Sequence, residues 1–271
     1  MRTPLTLPGQ KIKLGQLNLI IGGNDTGKSA ICEWISAFGN LEKLVRWRRD
    51  QVSQYPTQLQ LNYFDPDEHS AYLQVGHDGS VLFQLDGQNV PISPIPMRIV
   101  FPRDRRGFNA ESLNDLELLA KIFDLDQALC RNLLDHVNVD ADSTVRNAKF
   151  IEEDGRLTLH ADVEGTCPGL PFGILSSSEQ ERVVMEMAIA LSRVLGAHSA
   201  TLLVLDPGMS YLDISWFERY SQRLSSPRNP FQTLAVIPTR KLDLTTLRWL
   251  GWEIIRTTNR RPVISIDQSS L

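Results

Sequence analysis

The stretch Gly22-Gly23-Asn24-Asp25-Thr26-Gly27-Lys28-Ser29 satisfies the pattern G-x-x-x-x-G-K-S without a mismatch. Each residue type in it has a chemical task. Glycines let the backbone fold closely enough for its N–H groups to surround a phosphate, and the helix that follows presents its positive end to the same anion. Lys28 supplies a point charge for the β- and γ-phosphates of a nucleoside triphosphate, and the Ser29 hydroxyl is a ligand for Mg2+. ATP with Mg2+ is the expected ligand. The flanks supply the context the pattern needs. Leu17, Leu19, Ile20 and Ile21 form the buried end of one of two short strands expected between Lys11 and Ile21. Downstream, Ile31, Ile35, Phe38, Leu41 and Leu44 recur at helical spacing.

Composition narrows the remaining possibilities. With 271 residues and 42% apolar content, the chain is long enough for one large domain or two small ones. Its net charge of −4 gives no global basic footprint for nucleic acid. Basic residues do cluster locally: Lys43, Arg46, Arg48 and Arg49; Arg103, Arg105 and Arg106; Arg256, Arg260 and Arg261. The first cluster carries Trp47 within it and is the best candidate for contact with a polyanion such as nucleic acid. Cys32, Cys130 and Cys167 are too few and too far apart for a disulfide framework or a zinc pattern, so reduced thiols in a cytoplasmic protein are expected. No run approaches the roughly 20 apolar residues that cross a bilayer, and no membrane contact is expected.

Downstream of the loop, the texture between Leu59 and Leu85 is that of strands, with turn chemistry at Asp65-Pro66 and Asp78-Gly79. An antiparallel β-subdomain is expected over 58–101, with MRIVF as a further strand. A helical segment follows over 110–140, with apolar positions supplied by Leu113, Leu116, Leu118, Leu119, Ile122 and Phe123. NAKFIEE and RLTLHAD flank Asp154-Gly155 as a hairpin. Helices over Glu179–Leu195 and Ile214–Leu224 then alternate with strands ending near Leu205 and Ile237, and the tail returns to strand texture in WEIIRTT and PVISID.

Two further constellations carry chemistry. Thr201-Leu202-Leu203-Val204-Leu205 delivers Asp206 at the end of an apolar strand, the position from which an acid holds Mg2+ in enzymes with such a loop. Thirty residues earlier, Leu175-Ser176-Ser177-Ser178-Glu179-Gln180 opens an amphipathic helix. Its local reading is a helix start, with Ser178 as the cap and Glu181 three residues on as its capping-box partner.

At these residues the chain resembles the ABC-type ATPase superfamily, in particular the heads of SMC, RecF and OLD-like proteins. Their signature reads roughly L-S-x-G-E-Q, with Ser178 here in place of the glycine. Asp206-Pro-Gly-Met-Ser-Tyr-Leu-Asp213 keeps the spacing of the family pattern D-E-P-x-x-x-L-D. The resemblance implies an α/β P-loop NTPase fold, a single ABC-type head over 1–271 with a β-subdomain, a helical lid and a signature-to-switch region over 175–240. It also implies a homodimer that closes two composite ATP sites. In each, Ser176 and the backbone at Ser178 would meet the partner's γ-phosphate, with Asp213 at the interface.

The coiled coil of SMC proteins is missing, since only about 150 residues separate Lys28 from Ser176 and none carry sustained heptads. Two departures bear on catalysis. Pro207 stands where the family places the glutamate that activates water, and Arg240 aligns with its switch histidine, where it would contact a γ-phosphate. MgATP binding through Lys28, Ser29 and Asp206 with weak hydrolysis is the expectation. The output would pass to a separate effector protein, such as a nuclease in DNA repair or anti-phage defence. The alternatives are a non-hydrolysing nucleotide sensor or structural subunit of a larger complex, and a P-loop kinase; the latter has no need of the Ser176–Gln180 motif.

Overall fold

The computed structural model describes residues 5–6, 12–24, 26–40, 57–64, 66–76, 78–91, 95, 97–103, 108, 112–206, 214–238, 243–260 and 263–268. In chain order the first elements are β1 (Leu5–Thr6), β2 (Leu17–Gly22), α1 (Lys28–Gly39), β3 (Thr57–Phe64), β4 (Glu68–Val75), β5 (Val81–Leu85), β6 (Gln88–Asn89) and β7 (Arg98–Val100). Next come α2 (Asp115–Phe123), α3 (Gln127–Val139), β8 (Val145–Glu153), β9 (Arg156–Val163), β10 (Leu170–Pro171) and α4 (Ser177–Gly196). The last are β11 (Thr201–Leu205), α5 (Ile214–Leu224), β12 (Gln232–Pro238), α6 (Leu244–Trp249), β13 (Trp252–Arg260) and β14 (Val263–Asp267).

The central sheet runs β1-β14-β13-β2-β12-β11-β7. Its five strands from β13 to β7 are mutually parallel, and the β13–β14 pair is antiparallel. Alternation along each strand divides the apolar residues between two faces. Leu17, Leu19, Ile21, Leu203, Leu205, Ala235 and Ile237 face one core, which they share with α2 to α6 and the β8–β9 hairpin. Ile20, Leu202, Val204, Leu234, Val236 and Ile255 face the other, under α1 and the β3–β6 meander. Strands covered on both sides read as near-continuous apolar runs, which is how LNLIIG and TLLVL appear in the sequence.

The antiparallel meander β3-β4-β5-β6 forms where strand texture places it. It ends at Asn89, because β7 pairs parallel with Thr201–Leu203 of β11 in the central sheet. The β5–β6 hairpin at Asp86-Gly87 extends the meander beyond Leu85. The β8–β9 hairpin turns at Asp154-Gly155, both residues at positive φ, as a two-residue primed turn needs. Between Lys11 and Ile21 the described residues form one strand, β2, rather than two.

The helical segment 110–140 is two helices. Asp124 closes α2 in the left-handed region (φ 57°), and Asp126 caps α3 by accepting from the Leu129 N–H at 2.8 Å. An uninterrupted apolar pattern hid this break, because the residues that make it are acids with local hydrogen bonds. Arg103, from one of the basic clusters, is engaged here: its guanidinium lies 3.0 Å from the Asp124 carboxylate.

Candidate nucleotide-binding site

The loop after β2 is shaped by close approach to β13. A Cβ on Gly22 would fall 2.3 Å from Thr257 Oγ1 and 2.6 Å from the Thr257 carbonyl, so a side chain has no room there. Gly27 stands at φ 81° as the residue before α1, a backbone state that L side chains rarely adopt. Between them, buried Thr26 donates its hydroxyl to the Gly23 carbonyl at 2.9 Å. Lys28 opens α1, and its Nζ donates to the carbonyls of Gly22 (2.9 Å) and Gly23 (2.6 Å). The lysine thus lies along the loop itself. Gly23, Asn24 and Ser29 are exposed, with Ser29 in the first turn of α1. Asp25 lies outside the described residues.

Asp206 follows β11, two strands from β2 with β12 between them. Leu205 is level with Ala235 of β12, which is level with Leu19 of β2. At roughly 4.8 Å per strand, Asp206 therefore lies about 10 Å across the sheet from β2, at the same carboxyl edge as the loop. Continuing the alternation of Leu202 and Val204 puts it on the α1 face. The electrostatics agree. The Cys32 thiol, one turn into α1, is pushed well up by its burial and then by the carboxylates of Asp206 and Glu33. Ligands of open α/β sheets bind at this edge, outside the carboxyl ends of the strands. Ser29 and Asp206 offer hard oxygen donors, which suit Mg2+. Among the described residues, no three His, Cys, Asp or Glu side chains converge to hold a metal ion without help. Phosphate oxygens and water would have to complete the shell.

Ser176 and Ser178 are elsewhere. α4 packs on β11, β7, β8 and β9, in the core of the opposite sheet face. Its cap is Ser176 rather than Ser178: Ser176 Oγ accepts from the Glu179 N–H, and the Glu179 carboxylate accepts from the Ser176 N–H at 2.6 Å. Glu181, the partner expected for Ser178, is buried inside the helix. One residue pattern offered two registers. The extended backbone of Ser176 (ψ 162°) selects between them. Pro207, Asp213 and Arg240 lie outside the described residues.

One group that packs against the loop comes from a distant strand. Thr257 of β13 is buried, and its Oγ1 lies 2.8 Å from Thr26 Oγ1 and 3.3 Å from the Ile21 carbonyl. Nothing local in the sequence flags it, since 231 residues separate the pair.

Fold and loop together define a mixed α/β protein in which the Gly22–Ser29 loop joins a central strand to a helix, with an antiparallel meander and a helical layer. No family model and no curated protein matches this sequence. Solved structures do. An SMC head bound to the C-terminal winged-helix domain of ScpA aligns over 96% of this chain and 92% of its own, at TM-score 0.66 and 17% identity. The SMC head domain from Thermotoga maritima aligns over 100% of both chains at TM-score 0.53 and 13% identity. RecF in an ATP-bound structure aligns over 98% of this chain and 95% of its own, at TM-score 0.55 and 12% identity. The chain therefore has the fold of SMC and RecF ATPase heads, a mixed α/β architecture with a largely parallel central sheet and antiparallel sheets beside it. No described helix is long and apolar enough to cross a membrane.

Proposed function

We propose that this protein is an ATP-binding ABC-type head that dimerises around nucleotide and passes its state to a separate partner protein. The observation that carries the reading is the carboxyl edge of the central sheet. There the Gly22–Ser29 loop and Asp206 lie on one sheet face and at one end, as MgATP binding requires. In this reading the loop N–H groups wrap the phosphates, and Lys28 leaves the Gly22 and Gly23 carbonyls for the β- and γ-phosphates. Ser29 and Asp206 would hold Mg2+, which would supply positive charge against the phosphates. Ser176 and Ser178 sit at the start of a helix on the other face. They serve the site only if a second copy brings its α4 N-terminus to the γ-phosphate, with Asp213 in the interface and Arg240 reaching the same phosphate. A helix N-terminus suits that task. Both the SMC head bound to ScpA and the RecF–ATP structure share this fold, which supports a partner-bound, ATP-dependent role.

Pro207 brings no carboxylate to activate water, so turnover is slow. Loss of a general base costs about 10²–10⁴-fold in rate. The test measures MgATP binding and phosphate release for the wild type, Lys28→Ala and Asp206→Ala. Binding lost in Lys28→Ala, with slow release abolished in Asp206→Ala, is the expected result. Rapid release that Asp206→Ala leaves intact would overturn the reading. Binding with no measurable turnover would favour the non-hydrolysing sensor, which Pro207 also fits.

A further inference from the structure

The phosphate loop is tied to a strand that belongs to none of the sequence motifs. Thr257 lies on β13, beside β2, where Arg256 is level with Ile21. Its hydroxyl meets that of Thr26 at 2.8 Å with both groups buried, and Thr26 in turn donates to the Gly23 carbonyl at 2.9 Å. Each hydroxyl has one proton. If Thr26 spends its proton on Gly23, it can only accept from Thr257, whose single proton has two acceptors in reach, Thr26 Oγ1 at 2.8 Å and the Ile21 carbonyl at 3.3 Å, and the shorter contact takes it. The result is a one-directional chain from Thr257 through Thr26 to the Gly23 carbonyl.

That carbonyl is also where Lys28 Nζ donates, at 2.6 Å. When Lys28 turns to a phosphate, the Gly23 carbonyl loses the lysine and keeps only the hydroxyl chain. A peptide plane held by its carbonyl also fixes the direction of the N–H at its other end. The chain therefore helps to hold the orientation of the Gly23–Asn24 peptide, and with it the direction of the Asn24 amide.

We propose that Thr257 is a positioning residue of the phosphate loop, acting through Thr26 on the Gly23 carbonyl. The inference rests on the ATP-binding reading above and adds β13 to the elements that set affinity. It also accounts for Gly22, whose missing side chain leaves the space that Thr257 occupies.

The experiment titrates a fluorescent ATP analogue with Mg2+ into the full chain and into Thr257→Val, Thr257→Ser, Thr26→Val and the Thr26→Val/Thr257→Val double variant. Thermal unfolding without nucleotide is followed in parallel. Thr257→Val, which keeps the shape and removes the hydroxyl, is expected to weaken binding about tenfold, and Thr257→Ser to restore it. The double variant is expected to bind no more weakly than the worse single variant, because both interrupt one chain. Wild-type affinity in Thr257→Val overturns the inference, as do additive losses in the double variant. A loss that Thr257→Ser fails to restore, accompanied by a lower unfolding midpoint, also overturns it. If the wild type itself does not bind the analogue, the ATP-binding reading falls and the inference falls with it. That outcome is distinct from all the others.

Discussion

Ser176 and Glu179 hold each other reciprocally: the Ser176 N–H donates to the Glu179 carboxylate at 2.6 Å, and Ser176 Oγ accepts from the Glu179 N–H. This box fixes the first turn of α4 and orients its remaining N–H groups outward, at the end of a helix whose body is almost wholly buried. The same serine therefore has a structural task in one copy of the chain and, in the proposed dimer, an anion-binding task across the interface. Ser176→Ala is expected to lower unfolding free energy by about 1 kcal/mol. Ser176→Arg is expected to leave MgATP affinity within about twofold, because the phosphate loop belongs to the other sheet face, and to abolish ATP-dependent dimerisation. Light scattering with a non-hydrolysable analogue reads this out, and normal dimerisation of Ser176→Arg would remove the signature assignment.

Gly22 and Gly23 are neighbours with opposite tolerances. An alanine at Gly22 would meet Thr257 and Thr26 oxygens at 2.3–2.7 Å, whereas at Gly23 the nearest atom is Thr26 Cγ2 at 3.9 Å. Gly22→Ala must push β2 and β13 apart, at about 1–3 kcal/mol of stability, with loss of nucleotide binding. Gly23→Ala is expected to unfold within about 0.5 kcal/mol of the wild type. Urea unfolding of the two variants side by side checks the contrast.

Beneath α4 lies a buried charge cluster. Glu186 of α4 accepts from the Thr144 N–H at 2.9 Å, the Thr144 hydroxyl at 2.8 Å and the Tyr220 hydroxyl at 3.0 Å, and it pairs with Arg223 of α5. Arg223 also reaches Asp140 at 2.5 Å, which Arg193 contacts as well. Removing one member strands the others away from water. Arg223→Ala is expected to cost about 3–5 kcal/mol, a large share of the 5–15 kcal/mol typical of a whole domain. Denaturant titration measures it, and a loss below about 1 kcal/mol would show that the cluster is not coupled as drawn.

Asp140 also sets an acid limit. Burial raises its pKa, but Arg223, the Asp142 N–H and Arg193 together outweigh that and hold it below the ordinary carboxylate value. A depressed folded pKa contributes stability that is present above the unfolded value of about 3.9 and lost as pH falls through the folded one. Asp140→Asn is therefore expected to be less stable at pH 7 and to lose less stability between about pH 4 and pH 2. Unfolding midpoints across that range test the sign.

Much of this molecule could be read from local chemistry. The Gly22–Ser29 pattern, the apolar runs at Leu17–Ile21 and Thr201–Leu205 and the turn at Asp154-Gly155 each depend on residues close in sequence. Side-chain period and turn chemistry therefore fix them. Local patterns fail where two registers are equally good. Ser176 and Ser178 both have an acid three residues on, and α2–α3 carries one unbroken apolar pattern across Asp124. Choosing between such options takes the packing of the whole chain.

The sequence by itself determined that a strand, a glycine loop and a lysine-led helix stand together, and that an acid ends a second buried strand. Tertiary structure alone decided which face each group shares. It placed Asp206 with α1 and put the α4 N-terminus on the opposite face. It moved β7 into the central sheet and brought Thr257 within 2.8 Å of Thr26 across 231 residues. Sheet order and strand register set these relations. Contacts between distant segments decide both, and no local window of sequence contains them.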